Sequence, residues 1–312
     1  GDHFETINPD RPDTQSAFGN PDARMFHSAS GNDEPEGGGG AGGSSLLDDL
    51  IGVGGASSPG TGGGWGGGNG TGTGMGTGPG QGSFGQRSGG GRRLMVLKHG
   101  GSKATESAVD KALDWLARHQ EADGHWDYTK YTAGQNLAEP NHDCALCGLS
   151  VLAFLGAGHT TKVGKYKDNV RRALYWLEQQ QDDKGCFGPV KGGNQGHHIY
   201  DQGICTLAMA EAGAMTRESE WKNCAQKGIG FIEDFQNEYA GWRYGRKDGD
   251  SDISVVGWMV MACKSAKIAG LHVDPRTFDG ALTFLDKVTR AQGEGSDALT
   301  EVVYRPGEDQ SS

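Results

Sequence analysis

Two aspartates in the second half of the sequence have the spacing of a candidate acid catalyst. They lie in the stretch Asp248-Gly249-Asp250-Ser251-Asp252-Ile253-Ser254. An aspartic acid can protonate a substrate only if burial and neighbouring acids keep it protonated. Asp250 and Asp252 are therefore the candidate catalytic residues. The alternative, which we favour, is that Asp252 caps a helix, because Asp143 and Asp201 also precede apolar helical stretches.

A second group of residues carries the side chains of a metal site. His142-Asp143-Cys144-x2-Cys147 is followed one repeat later by His197-His198 and Asp201-x3-Cys205. Zinc in proteins is bound by these residue types, which makes His142, Asp143, Cys144 and Cys147 weak candidate ligands. However, Cys147 and Cys205 lie at equivalent repeat positions, where a free cysteine packs as a small hydrophobic residue. We therefore predict no cofactor, with zinc as the lesser alternative, and expect His197 and His198 to be exposed loop residues.

Aromatic side chains provide the candidate ligand-binding residues. Trp126 and Tyr128 share one predicted loop, Trp242 and Tyr244 share another, and Trp258 lies in an apolar helix. Such loops would place aromatic rings near one rim of the fold, where they could hold an apolar or extended ligand. The alternative is that these rings only close the turns between helices, and this alternative is favoured.

A repeat positions all of these residues. Four helical segments carry aromatic anchors at Trp115, Trp176, Phe231 and Phe284. In the first three copies a glutamine follows the anchor by five residues, and an aromatic residue follows it by eleven. Each unit combines an amphipathic helix with one that is apolar nearly all round, and the second kind must be buried. The sequence predicts seven helices, near residues 106–120, 143–156, 168–181, 200–214, 219–236, 252–269 and 275–291.

The repeat resembles a known family. Trp115-Leu116-x3-Gln120-x3-Gly124-x-Trp126 and its counterpart from Trp176 to Phe187 are similar to the QW repeat. That repeat is typical of the squalene–hopene cyclase and protein prenyltransferase β-subunit superfamily. The resemblance covers about residues 104–290, and in the third copy Gly241 has moved next to Trp242. It implies an all-α, α/α toroid or partial toroid of repeated helix pairs, in which the glutamine and the aromatic tie neighbouring helices together.

The resemblance also implies two chemistries that the motifs match incompletely. Family cyclases use a DxDD(T/S) motif, whereas Ile253 stands here in place of the last acid. Family prenyltransferases bind zinc through a DxC pair, which this sequence lacks. The Cys-Gly-Glu-Gln stretch of complement thioester domains is also missing, because Leu149-Ser150 follows Cys147-Gly148.

Composition divides the chain into two parts. Residues 1–100 hold 31 of the 56 glycines and are expected to form a disordered, acidic tail or linker, and residues 101–312 hold the repeats. One apolar island, Ser45–Ile51, could be a short docking helix or a chance cluster.

The net charge is −11, so we expect no nucleic-acid partner, and no apolar run approaches the length of a membrane span. Six cysteines are too few for a disulfide framework, so we expect reduced thiols in a soluble segment that the tail tethers; the compartment stays undetermined.

These observations lead to one function with two alternatives. We expect a binding module for an apolar, isoprenoid-like or extended ligand such as a small molecule or a peptide. One alternative is a terpene-cyclase-type isomerase that uses Asp250 and Asp252, or a zinc prenyltransferase. The other is a structural repeat in a tethered assembly. Family toroids need about twelve helices, so we also expect a further chain segment or a subunit to close the ring.

Overall fold

The computed structural model describes residues 84, 87, 92, 96, 99–131, 142–188, 198–292 and 299–307. All of them fall within one compact unit, Ser44–Ser312. Most of the expected tail, the island at Ser45–Ile51 and the loop residue His197 lie outside the described residues. Two arginines that precede the expected boundary contact the helical part: Arg87 pairs with Glu211 at 2.5 Å, and Arg92 pairs with Glu106 at 2.8 Å.

In the part of the chain that the structure describes, seven α-helices form between Lys103 and Val288, close to the positions that the repeat predicts. This confirms the all-α class. The helices are α1 (Lys103–Arg118), α2 (Asp143–Gly156), α3 (Lys167–Gln180), α4 (Ile199–Thr216), α5 (Ser219–Phe235), α6 (Ile253–Ile268) and α7 (Pro275–Val288). A short 3-10 helix, Tyr128–Tyr131, lies between α1 and α2.

The helices form two layers. Helix α4 packs against both α2 and α6, and these three apolar helices make the inner layer. The amphipathic helices α1, α3, α5 and α7 pack on the inner helices, and α3 also contacts α5. The core is continuous across both layers and includes large buried rings such as Phe154, Trp221 and Phe284.

Local sequence signals explain where several helices begin. Ser102 starts α1 with a capping box, in which its hydroxyl accepts from the Thr105 amide and the Thr105 hydroxyl accepts from the Ser102 amide. Asp252 caps α6 by accepting from the Val255 amide at 2.9 Å, as expected. Asp274 caps α7, whose first residue is Pro275.

The inner helices differ in burial, which corrects a simple expectation. Residues Asp201 to Gly213 of α4 are all buried, as an all-round apolar helix requires. Helices α2 and α6 instead keep one side in solvent. Leu149 of α2 is 42% exposed and Met261 of α6 is 44% exposed.

A two-stranded hairpin follows α7, whereas the sequence analysis extends the last helix to residue 291. Helix α7 ends at Val288, and strands β1 (Thr289–Gln292) and β2 (Leu299–Val302) pair antiparallel with Thr289 opposite Val302. Val303 then donates its amide to the Val288 carbonyl at 2.8 Å. The fourth repeat copy has Thr289 in place of the glutamine, so it lacks the side chain that forms the turn in the other copies.

The repeated glutamines link successive outer helices. Each one donates from its Nε2 to two carbonyls, one in the following loop and one in the next outer helix. Gln120 reaches Gly124 and Asn169 at 2.8 and 2.9 Å, Gln181 reaches Gly185 and Cys224 at 3.3 and 3.0 Å, and Gln236 reaches Ala240 and Thr277 at 2.8 and 2.9 Å. Each glutamine amide thus ties a loop to the next outer helix and fixes the spacing of the outer layer.

A glycine makes this close approach possible, and its position changes between copies. Gly124 and Gly185 have φ of 112° and 87°, and a Cβ on either would collide with the carbonyl oxygen of Arg172 or Lys227 in the next outer helix. In the third copy the loop residue is Ala240. The helix residue equivalent to Arg172 is there Gly280, where a Cβ would collide with the Ala240 oxygen. The space is therefore provided by the helix instead of the loop.

Candidate functional site

Polar side chains converge where the three inner helices begin. His142 of the α2 start lies beside His198 and Asp201 of α4, and Tyr200 of α4 lies beside Ser254 of α6. The N-terminal ends of α2, α4 and α6 therefore lie on the same side of the inner layer. We call this side the N-terminal rim.

Two histidines and one aspartate form the first cluster of the rim. The Nδ1 atoms of His198 and His142 lie 2.9 and 3.2 Å from the same Asp201 oxygen, Oδ2. The two imidazole rings are 5.0 Å apart between centroids. Asp201 is completely buried and His198 nearly so, whereas one third of the His142 side chain is exposed. Burial raises the pKa of Asp201, and the hydrogen bonds from the two histidines offset this only in part.

Asp201 caps a neighbouring helix instead of its own. Its other oxygen, Oδ1, accepts from the Ala145 amide at 2.9 Å, and Ala145 is the third residue of α2. Asp201 itself lies inside α4, whose N-cap residue is His198. The expectation that His198 would be exposed in a loop is wrong, because its bond to a buried carboxylate holds it inside.

The four residues proposed from sequence as zinc ligands do not meet. Of these, only His142 belongs to the cluster. Asp143 accepts from the Tyr128 amide at 2.9 Å. Cys147 is completely buried with its Sγ near the Ala173 carbonyl, and burial raises the pKa of its thiol well above the ordinary value. Cys144 is buried too, and its carbonyl accepts from the Cys205 thiol at 3.2 Å.

The second cluster of the rim surrounds the start of α6. Arg243 pairs with both candidate acids, through Nε to Asp252 at 3.1 Å and through Nη1 to Asp250. Arg305 also pairs with Asp250 at 2.8 Å. Asp252 Oδ1 accepts from the Ser254 hydroxyl at 2.7 Å. Each carboxylate therefore accepts hydrogen bonds with both of its oxygens.

These pairings count against a proton-donating acid. Burial alone would raise the pKa of Asp250, but hydrogen bonds from Arg243 and Arg305 outweigh it and hold the pKa below its ordinary value. A general acid needs the opposite shift. Asp252 has the cap role that the sequence analysis favours.

A small tyrosine network continues the second cluster. The Ser254 hydroxyl lies 2.7 Å from the Tyr200 hydroxyl and 3.1 Å from the Tyr304 hydroxyl. Burial raises the pKa of Tyr200. The rings of Tyr244 and Tyr200 are 6.3 Å apart between centroids. The Arg243 guanidinium stacks on the Tyr244 ring, with its central carbon 4.8 Å from the ring centroid. Sequence reasoning included Tyr244 but missed Tyr200 and Arg243, because no local pattern marks them.

The remaining aromatic candidates divide into two kinds. Trp126 and Trp242 are buried, and their indole N–H groups donate to the carbonyls of Leu116 and Ile232 at 2.9 and 2.8 Å. This placement fits the turn-closing alternative. Tyr128, Tyr244 and Trp258 stay half-buried and therefore keep surface that a ligand could contact.

Comparison with known proteins adds no identification. No protein-family model, no curated protein and no solved structure matches the chain. Among the residues that the structure describes, none of the helices combines the length and the apolar character that crossing a bilayer requires.

Proposed function

We propose that this chain is a binding module for an apolar or extended ligand of the isoprenoid type. The observation that carries the proposal is the exposed apolar side of α2 and α6. On α2 this side contains the exposed Leu149 and Ala153 and the half-buried Leu146 and Leu152. On α6 it contains the exposed Gly257 and Met261 and the half-buried Trp258 and Val260.

These residues have helical spacing, so each set forms a stripe along one helix. Both helices use their other sides to form the core. An apolar stripe left partly in solvent on such helices is typical of an interaction site. The resemblance to cyclases and prenyltransferases supports an isoprenoid as the first ligand to test.

The rim offers a polar end to the α6 stripe. Ser254 precedes Trp258 by four residues, so the two lie on the same side of α6. The hydroxyls of Ser254, Tyr200 and Tyr304 lie close together there. This arrangement suits a ligand with an apolar chain and a small polar head, which would exchange hydrogen bonds with the hydroxyls.

Titration with farnesol, followed by calorimetry and tryptophan fluorescence, tests the proposal. Leu149→Lys and Met261→Lys should weaken binding at least about tenfold, because each replaces a burial worth about 1.5 kcal/mol or more with a charge. Val163→Lys is the matched control, since Val163 is an exposed apolar residue of a loop outside both stripes.

Absence of farnesol binding, or equal binding by all three variants, would refute the proposal. Turnover of the isoprenoid that Asp252→Asn abolishes without loss of fold would favour the isomerase alternative instead. Farnesol binding that Met261→Lys weakens and Leu149→Lys leaves unchanged would place the ligand on α6 alone.

A further inference from the structure

We propose that His142, His198 and Asp201 bind a divalent transition-metal ion, with zinc as the metal to test first. This site goes beyond the proposed ligand-binding function and does not depend on it. One ligand atom from each of the three residues lies within 4.8 Å of the other two. No other such group of three or more occurs among the residues that the structure describes.

The spacing of the ligand atoms fits a metal ion at their centre. Two atoms that each lie about 2.1 Å from a tetrahedral zinc ion are about 3.4 Å apart. The distances from Asp201 Oδ2 to the Nδ1 atoms of His142 and His198 are 3.2 and 2.9 Å. Shifts of a few tenths of an ångström would bring both of these pairs to the spacing of zinc ligands, and the ligand atoms of the three residues lie within 4.8 Å of one another.

The residue types also match the chemistry. Two imidazoles and one carboxylate form a common set for zinc and for other first-row divalent metals. On binding, each imidazole would present its Nδ1 lone pair to the metal and carry its proton on Nε2. The two hydrogen bonds between the histidine Nδ1 atoms and Asp201 would thereby be replaced by three metal–ligand bonds.

The surroundings hold the buried ligand in place. Asp201 Oδ1 accepts from the Ala145 amide, which fixes the plane of the carboxylate and leaves Oδ2 directed at the histidines. Second-shell bonds of this kind orient ligands in metal sites. His198 is buried at the start of α4, so two of the three ligands sit on rigid structure.

The third ligand provides access. His142 precedes α2 and keeps one third of its side chain exposed, so an ion can enter from that side. Three protein ligands leave a fourth position for water or for an anionic group of a bound molecule. The site therefore has the coordination of an open metal centre, not of a closed structural one.

Metal uptake by the purified full chain tests the site. We expect one Zn²⁺ per chain by elemental analysis after dialysis and a rise of the melting temperature on addition of Zn²⁺. His142→Ala removes the exposed ligand with little risk to the fold. Asp201→Asn can retain the cap on Ala145 through its amide oxygen while it loses the second carboxylate oxygen. Each variant should weaken binding by at least about 100-fold, the upper effect seen for second-shell residues.

A similar pair elsewhere in the chain supplies the control. His125 Nδ1 lies 2.6 Å from Asp123 Oδ1, which reproduces a histidine–carboxylate contact without a second imidazole. His125→Gln should leave zinc uptake unchanged. Circular dichroism of each variant checks that it remains helical.

Cobalt gives a spectroscopic check on the ligand set. Bound Co²⁺ should show visible absorption of a four-coordinate site without thiolate charge-transfer bands. Strong thiolate bands would overturn the proposed ligands in favour of the cysteines. Uptake far below one ion per chain, or uptake that both His142→Ala and Asp201→Asn leave unchanged, would show that the cluster is only a hydrogen-bonded network.

Discussion

Replacing Gln202 should destabilise the fold more than replacing any of the repeated glutamines Gln120, Gln181 and Gln236. Gln202 is completely buried in α4. Its Oε1 accepts from the Phe187 amide at 2.8 Å, and its Nε2 lies 3.1 and 3.2 Å from the carbonyls of Gly185 and Gly228. It thus joins α4, the loop after α3, and α5.

The magnitude follows from the groups that a substitution leaves behind. Gln202→Met keeps the approximate volume but removes the acceptor of a buried N–H and the donor to two carbonyls. The Phe187 amide would then have no acceptor, which costs about 1–3 kcal/mol. The Gly185 carbonyl keeps its bond from Gln181, but it and the Gly228 carbonyl each lose one hydrogen bond worth about 1 kcal/mol, so we expect a loss of about 3 kcal/mol in the free energy of unfolding. For a domain of this size that corresponds to about 6–12 °C in melting temperature.

Thermal and urea unfolding with a matched control would measure this loss. Gln226 also makes two hydrogen bonds, to the backbone of His272 at 2.9 Å, but both are exposed. Water can replace them, so Gln226→Met should change stability by less than about 0.5 kcal/mol. Gln202→Glu keeps an acceptor for Phe187 but turns a carboxylate oxygen towards two carbonyls, so it should be at least as damaging as the methionine. If Gln202→Met and Gln226→Met melted within about 2 °C of each other, the reasoning would be refuted.

Three further predictions concern other contacts. Trp242→Phe should cost about 2 kcal/mol or more in chemical denaturation, because it removes one buried hydrogen bond to Ile232 and leaves a cavity beside the smaller ring. A loss near zero would contradict both contributions. Asp250→Asn should lower the melting temperature at pH 7, because it removes the pairing with Arg243 and Arg305. The pKa of Asp250 is lower in the folded chain than in the unfolded chain, so its ionised form stabilises the fold. This stabilisation is fully present above the unfolded pKa of about 3.9 and is lost as the pH falls through the folded pKa. The difference in melting temperature between wild type and variant should therefore become smaller in acid. The six buried thiols should react with a thiol reagent at pH 8 only on unfolding, because the reagent cannot reach them in the native fold. Burial also raises the pKa of the Cys147, Cys205, Cys224 and Cys263 thiols, to about 12 for Cys224, and fast reaction of the native chain would contradict this burial.

The repeat made much of the fold predictable because its signals are local. Gln120, Gln181 and Gln236 each bind a loop carbonyl four residues ahead, so a fixed spacing in sequence reports a fixed contact in space. The Asp252 cap is local in the same way, because Asp252 accepts from the amide of Val255, three residues ahead. Patterns of this kind can be read from one sequence.

The rim clusters were less predictable because their contacts cross between repeats. Asp201 binds His142 and Ala145, which are 59 and 56 residues away, and Arg305 binds Asp250 across 55 residues. Sequence spacing placed Asp201 at a helix start but could not tell which helix it caps. In the third copy the loop carries Ala240 and the glycine, Gly280, lies in the next outer helix. This change also depends on packing between helices that are distant in sequence.

Because Asp201 of α4 caps α2, the first turn of α2 is protected only while α4 is folded. The Ala145 amide is protected by a carboxylate that belongs to α4, so opening of α4 exposes this amide even while the rest of α2 stays wound. In hydrogen exchange, Ala145 should therefore follow the opening of α4 and not the fraying of its own helix. The first turn of α2 is completed only when a segment made more than fifty residues later has docked, and during synthesis it must wait for that segment.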